Sequence, residues 1–224
     1  MKGLEFGIGA WNAHNAAGAT INRYVAERIH AGNVAIVLTE VWRRHDALHR
    51  ITARHGLTLL TEAPKDRTQF VVPEEGSTAV LLSPAFRLRD WEVVPMKRLW
   101  EVHDYDRPHE PRRPIRVVGD VEGQRAELLA VHGPTAGNGP AVEEFKSEVA
   151  RILTTTRDDT VSAAVGDFNF RLREARAWAR QHGLKVAGTG PDLAAVHGAR
   201  VQSRRGARRT SDHYDVEHLV KVRR

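Results

Sequence analysis

The sequence predicts an α/β or α+β sandwich. Three observations lead there: many short strand-like runs alternate with helical ones, two runs are apolar throughout yet too short for helices, and turn residues sit at the seams. With 224 residues, 41% of them hydrophobic and 28% charged, the chain is long and apolar enough to bury a core without a staple. One domain over residues 1–224 is the expectation.

The elements follow in order. Leu4–Trp11 reads as a strand. Thr20–Ala31 has helical spacing in Ile21, Tyr24, Val25, Arg28 and Ile29, and Gly32 ends it. Val34–Thr39 is continuously apolar, as a buried strand is. Arg43–Arg54 has a polar helical pattern stopped by Gly56. Short strands are expected at Leu57–Thr61, Thr78–Leu82 and Phe86–Val94. Asp104–Arg113, rich in Pro, His and charge, reads as a loop. Arg116–Asp120 and Ala126–Val131 flank Gly123 as a hairpin would. Val142–Leu153 is expected to be a helix, Val161–Val165 a second buried strand, and Arg173–His182 a helix closed by Gly183. Leu184–Val186, Leu193–Val196 and Val216–Val220 complete the strands.

Composition excludes several chemistries. There is no cysteine, so disulfides, thiolate zinc sites, iron–sulfur clusters and thiol nucleophiles are ruled out. No apolar run approaches the roughly 18 residues of a membrane span, and Glu5 stands where a signal peptide would be apolar. The expectation is a cytoplasmic protein with no membrane partner and no obligate protein partner. The formal charge is +6, and its placement is uneven. Residues 171–224 hold thirteen Lys or Arg against five Asp or Glu, whereas residues 1–170 hold twenty-one against twenty-three. A basic carboxy-terminal quarter suits a polyanion, most simply nucleic acid. Because 28 of the 34 cations are Arg, a GC-rich coding sequence is an equal explanation.

Polar residues cap the apolar runs where packing does not require them. Asn12 ends the first strand in Gly-Ala-Trp-Asn. Glu40 stands just past Ala35-Ile-Val-Leu-Thr39. Asp167 and Asn169 end Ala164-Val-Gly-Asp-Phe-Asn169, spaced so that an extended chain puts both on one face. His132 caps Leu128-Leu-Ala-Val131, and Thr210-Ser-Asp-His213 precedes the last strand. Carboxylate and amide oxygens are hard donors that suit Mg²⁺ or Mn²⁺. A further carboxylate can take a proton from water, and histidines can donate to phosphate oxygens. Together these are the parts of a metal-dependent phosphodiesterase.

The order Trp11-Asn12, Thr39-Glu40-Val41-Trp42, His132, Gly166-Asp167-Phe168-Asn169 and Ser211-Asp212-His213 resembles the endonuclease/exonuclease/phosphatase superfamily. Deoxyribonuclease I, abasic-site endonucleases, sphingomyelinases and inositol-polyphosphate phosphatases belong to it. The resemblance implies a four-layered sandwich, two packed mixed β-sheets flanked by helices. It implies that Glu40 binds the metal, with Asn12 close by and Asp212 near or on it. It implies that Asp167 orients or deprotonates the attacking water, that Asn169 holds the scissile phosphate, and that His213 and His132 contact it. The acidic partner of the catalytic His falls on Asp192, although the local pattern is Pro-Asp-Leu where the family has Ile-Asp-Tyr. Thr39 replaces the usual Gln before the Glu. Only 41 residues separate Asn169 from Ser211, which leaves little room for substrate-gripping loops.

The reaction expected is hydrolysis of a nucleic-acid backbone, DNA preferred. The same chemistry on a nucleotide, sugar or lipid head group is the alternative, and a catalytically silent basic binding module is a second. Arg204, Arg205, Arg208 and Arg209 form a charged run before Ser-Asp-His, either a solvated loop or a phosphate-contacting rim. Trp42 is a candidate for stacking on a base, or simple packing. His103, His109, Arg112 and Arg113 are candidates for a substrate loop by composition alone. His45 and His49, four apart on a helix, resemble half of a zinc site, but no third ligand pattern follows.

Overall fold

The two continuously apolar runs become central strands. β2 (Asn33–Thr39) buries all seven of its residues, and β8 (Val161–Asp167) buries all seven of its own. Both are covered on two faces, which is why neither shows apolar–polar alternation. The computed structural model describes residues 4–14, 16–41, 44–61, 78–94, 113–134, 139–157, 159–208 and 213–222. The Asp104–Arg112 part of the expected loop, with His103 and His109, lies outside them. So do Trp42, Arg209 and Asp212.

Each central strand arises from a β–α–β unit. β1 (Glu5–Asn12) leads through α1 (Gly18–His30) into β2, and β1 and β2 pair in parallel. β7 (Gln124–His132) leads through α3 (Gly139–Thr154) into the parallel β8. The remaining pairings are antiparallel: α2 (His45–His55) is followed by β3 (Thr58–Thr61), β4 (Thr78–Leu82), β5 (Phe86–Val93) and β6 (Ile115–Val121). After β8 come α4 (Leu172–Gln181), β9 (Lys185–Thr189), β10 (Asp192–His197), β11 (Arg200–Arg208) and β12 (Tyr214–Lys221). The first sheet runs β11-β12-β1-β2-β4-β3 and the second β5-β6-β7-β8-β10-β9.

Three apolar clusters show the four layers that the family resemblance implies. Phe6, Ile8, Val37, Val80, Leu128, Ala130 and Val165 belong to the cluster between the sheets. Ile21, Tyr24, Val25, Leu48 and Ile51 of α1 and α2 pack on the outer face of the first sheet. Phe145, Val149 and Leu153 of α3, with Ala175 and Trp178 of α4, pack on the second. The β6–β7 hairpin turns at Glu122 and Gly123, whose positive φ values of 50° and 80° are those of a two-residue type I′ turn. Among the described residues no helix is long and apolar enough to cross a membrane.

One element departs from the sequence reading. The run Arg204-Arg205-Gly-Ala-Arg208 is not a loop but part of edge strand β11, paired along β12. His218 of β12 is fully buried opposite Ser203 of β11, whose Oγ lies 2.7 Å from its Nδ1.

Two predictions follow from this packing. Burial pushes the His218 pKa down to about 3, so the fold holds the ring neutral. The depressed folded value means that its contribution is present above the free imidazole's pKa of about 6.5 and is lost as pH falls. Urea unfolding of the wild type should lose up to about 1.4 kcal/mol per pH unit from this group below about 6.5, and His218→Gln should flatten that part of the profile. Equal slopes in both proteins would contradict it. Gly166 has φ 142°, and a Cβ there would overlap the backbone carbonyl oxygen of Val131 on β7. Gly166→Ala is therefore expected to destabilise by roughly 2–4 kcal/mol in the same assay.

Candidate active site

The sheets bring their polar strand ends to one edge of the sandwich. Asn12 ends β1, and Glu40 follows β2, with Asn12 opposite Thr39 in the register. His132 ends β7 directly opposite Asp167 at the end of β8, and Asp167 also lies opposite Asp192 at the start of β10. His213 immediately precedes β12. Strand pairing alone thus gathers residues separated by up to two hundred positions in the chain.

Asn12 ties the two sheets together. Its Nδ2 donates to Glu40 Oε1 at 3.0 Å and to Asp167 Oδ2 at 2.9 Å. Its Oδ1 accepts the backbone N–H of His14 at 3.1 Å. Both amide hydrogens and the oxygen are committed, so the side chain has one orientation. Asn12 is 2% exposed and Asp167 1% exposed, so these bonds form away from water. Burial pushes the Asp167 carboxyl above the ordinary range, and neighbouring Glu40 pushes the same way. His213, the Asn12 amide and the Asn169 backbone N–H pull it back in part.

The Gly166-Asp-Phe-Asn-Phe170 segment is fixed from below by aromatic packing. Phe168 meets Phe145 edge-on at 5.7 Å and Phe170 at 5.5 Å, contacts worth about 0.5–1.5 kcal/mol each beyond area burial. Asn169 has φ 55°, its N–H donates to Asp167 Oδ1 at 2.8 Å, and its Nδ2 donates to the Gly133 carbonyl at 2.7 Å. One Asn169 amide hydrogen is thereby used in holding the loop. Glu40 also has a left-handed backbone, φ 56°. Such non-glycine residues cost on the order of 1–3 kcal/mol and persist where surrounding contacts over-determine them.

His213 Nδ1 lies 2.8 Å from Asp192 Oδ2 and 3.9 Å from Asp167 Oδ2. A carboxylate can only accept, so Nδ1 carries the proton in this pair. His132 Nε2 is 3.7 Å from Glu40 Oε1. Two groups could each share an ion: Glu40 with His132 and Asp167, and Asp167 with Asp192 and His213. The first offers carboxylate oxygens from both sheets and the His132 nitrogen around one point, a donor set that could hold a divalent cation.

Seven of the expected residues therefore converge: Asn12, Glu40, His132, Asp167, Asn169, Asp192 and His213. Arg204 and Arg205 are exposed on β11, and the Arg205 guanidinium lies 3.2 Å from the ring centre of Tyr214, next to His213. Arg208 lies on β11 opposite Tyr214, at the end of the strand nearer His213. His45 and His49 belong to neither ion-holding group among the described residues.

Two features escaped the sequence reading. His14 Nδ1 lies 2.8 Å from Glu40 Oε2, a partner 26 positions away in the chain. Arg171, Arg173, Arg176 and Arg180 are all exposed along α4, which starts three residues after Asn169, and none has a carboxylate partner among the described residues. Their spacing of two, three and four residues marks a helix in the sequence but does not show that they are exposed together.

The His213–Asp192 pair can be checked without assuming a reaction. Long-range ¹H–¹⁵N NMR should show His213 protonated at Nδ1. Asp192→Asn should mix the tautomers, since an amide can donate as well as accept. An unchanged tautomer would mean that Asp192 does not set it.

No protein-family model matches the sequence, and no curated protein matches it. Solved structures do match. TDP2 from D. rerio, complexed with single-strand DNA product, is 12% identical, with 96% of this chain and 98% of that one covered and a TM-score of 0.69. An endonuclease/exonuclease/phosphatase from Beutenbergia cavernae DSM 12333 is 17% identical, with 97% and 72% covered and a TM-score of 0.69. Sphingomyelinase C from Streptomyces griseocarneus is 14% identical, with 98% and 100% covered and a TM-score of 0.68. Over nearly its whole length, the chain has the deoxyribonuclease I-like fold of the endonuclease/exonuclease/phosphatase structures.

Proposed function

We propose that the protein is a divalent-metal-dependent phosphodiesterase that cleaves a nucleic-acid backbone, DNA preferred. The observation that carries the reading is the cross-sheet cluster of Glu40 and Asp167 held by Asn12, with the His213–Asp192 pair against it. Glu40 would hold Mg²⁺ or Mn²⁺, with Asp212 as a further ligand and Asn12 as the organiser of the carboxylates. The ion would neutralise charge developing on the phosphate oxygens.

The chain's own groups supply the rest. Asp167 orients the attacking water and takes its proton, and its upward-shifted carboxyl is better matched to that task than an exposed one. His213, with Nδ1–H held by Asp192, turns Nε2 to the phosphate. His132 and the free Asn169 amide hydrogen complete the cradle. The exposed arginines of α4 and β11 favour a polyanionic substrate, because guanidinium–phosphate contacts give affinity without sequence preference. The likeness to TDP2 with a single-strand DNA product is consistent with this, and the likeness to sphingomyelinase C keeps a small phosphodiester as the second reading.

The test uses supercoiled plasmid and a labelled single-stranded oligonucleotide with Mg²⁺, Mn²⁺ or EDTA. The wild type should cleave with metal and not with EDTA. Asp167→Ala and His213→Ala should each lose on the order of 10²–10⁴ in rate. Cleavage of neither DNA by a folded wild type would overturn the DNA reading. Turnover of sphingomyelin or a nucleotide diester in parallel would then establish the second. Binding to DNA that survives EDTA with no turnover on any substrate would leave a silent binding module.

A further inference from the structure

His14 stands at the mouth of the Glu40 site in a way the proposed reaction does not require. Its backbone is left-handed at φ 42°, and its N–H is anchored on Asn12 Oδ1. The same amide that joins the two carboxylates therefore also aims the imidazole. The two Glu40 oxygens face different neighbours. Oε1 points inward to Asn12 Nδ2 and toward His132, while Oε2 points outward to His14 Nδ1 at 2.8 Å. The His14 side chain is 69% exposed against 17% for Glu40. Beside a carboxylate Nδ1 carries the proton, and an ion taking that proton's place would leave it on the solvent-facing Nε2 edge.

The spacing of that pair matches a shared ion. Two adjacent donors on an octahedral cation with bonds of about 2.1 Å lie about 3.0 Å apart. Glu40 Oε2 and His14 Nδ1 are already near that separation. A carboxylate oxygen beside an imidazole nitrogen is also a different donor set from the all-oxygen shell that Mg²⁺ prefers. Imidazole favours first-row transition ions, whereas Mg²⁺ keeps oxygen and water.

We propose that His14 is a metal ligand of this chain, pairing its Nδ1 with Glu40 Oε2 and biasing the site toward Mn²⁺ or Co²⁺ over Mg²⁺. The inference rests on the metal-dependent reading above and assigns the ion's identity and a nitrogen ligand to it. His14 supplies no proton in this role. Its effect is on which cation occupies the site and how tightly.

Pulsed electron paramagnetic resonance on Mn²⁺-loaded full-length protein tests it, alongside calorimetric titrations with Mn²⁺ and with Mg²⁺. Wild type, His14→Ala and Glu40→Gln are compared, each shown folded by circular dichroism. The wild-type Mn²⁺ signal should carry ¹⁴N modulation that His14→Ala diminishes while the ion stays bound. The Mn²⁺ Kd should rise about 10–100-fold in His14→Ala, with the Mg²⁺ Kd changing by less than about twofold. Modulation that is absent from the wild type, or that His14→Ala leaves undiminished, overturns the proposal. Equal weakening of both ions would reduce His14 to a residue that merely orients Glu40, and overturns it too. If a folded wild type binds no divalent ion, or binds one equally well as Glu40→Gln, the metal-dependent reading fails with it. A bound ion without ¹⁴N coupling sinks only the role of His14.

Discussion

A single amide holds the candidate site together. Asn12 sits at the end of a first-sheet strand and donates its two hydrogens to carboxylates belonging to opposite sheets. Two acidic groups that close repel each other, and burial raises the cost. The amide offsets part of that cost and sets their spacing. Everything else at the edge is arranged around this bridge. Asp167 is placed by its strand neighbours His132 and Asp192, Asn169 is placed by Asp167, and His14 is placed by the Asn12 oxygen.

The architecture explains why the bridge can be rigid. Two β–α–β units each end a central parallel pair at the same edge, and ligand sites form where such strand ends open. The Phe145, Phe168, Phe170 and Trp178 cluster then locks the segment just after Asp167 from the α3–α4 side. The left-handed backbones at Glu40 and Asn169 are tolerated because hydrogen bonds on both sides determine them. Fold stability is thereby spent on side-chain placement.

Much of this could be read in the sequence because the catalytic-type residues follow apolar runs. A polar residue that ends Val34–Thr39 or Val161–Val165 has no packing reason to be there, and periodicity locates both strands. Asp192 was legible for a weaker reason, its place upstream of Ser-Asp-His, and it does lie beside His213. β11 was not legible because it is an edge strand whose residues are mostly half-exposed or exposed, so charge replaces the alternation that marks a half-buried strand. His14 was invisible for another reason. Its meaning depends on a turn closed by the Asn12 side chain and on a partner 26 positions away. Neither periodicity nor local motif encodes such a contact. The α4 arginines were visible as letters, yet that none has a carboxylate partner among the described residues is a fact of three dimensions.

The proposed function requires that the Asn12-bridged carboxylates hold a cation facing a phosphodiester. The most direct measurement is a crystal structure of the protein with Mn²⁺ and a phosphorothioate single-stranded oligonucleotide, read by anomalous scattering. The account predicts an anomalous peak at ligating distance from the Glu40 carboxylate, with a backbone phosphate between that ion and the His213 ring. An ion bound elsewhere, or an oligonucleotide lying on the arginines without a phosphate reaching His213, would contradict it.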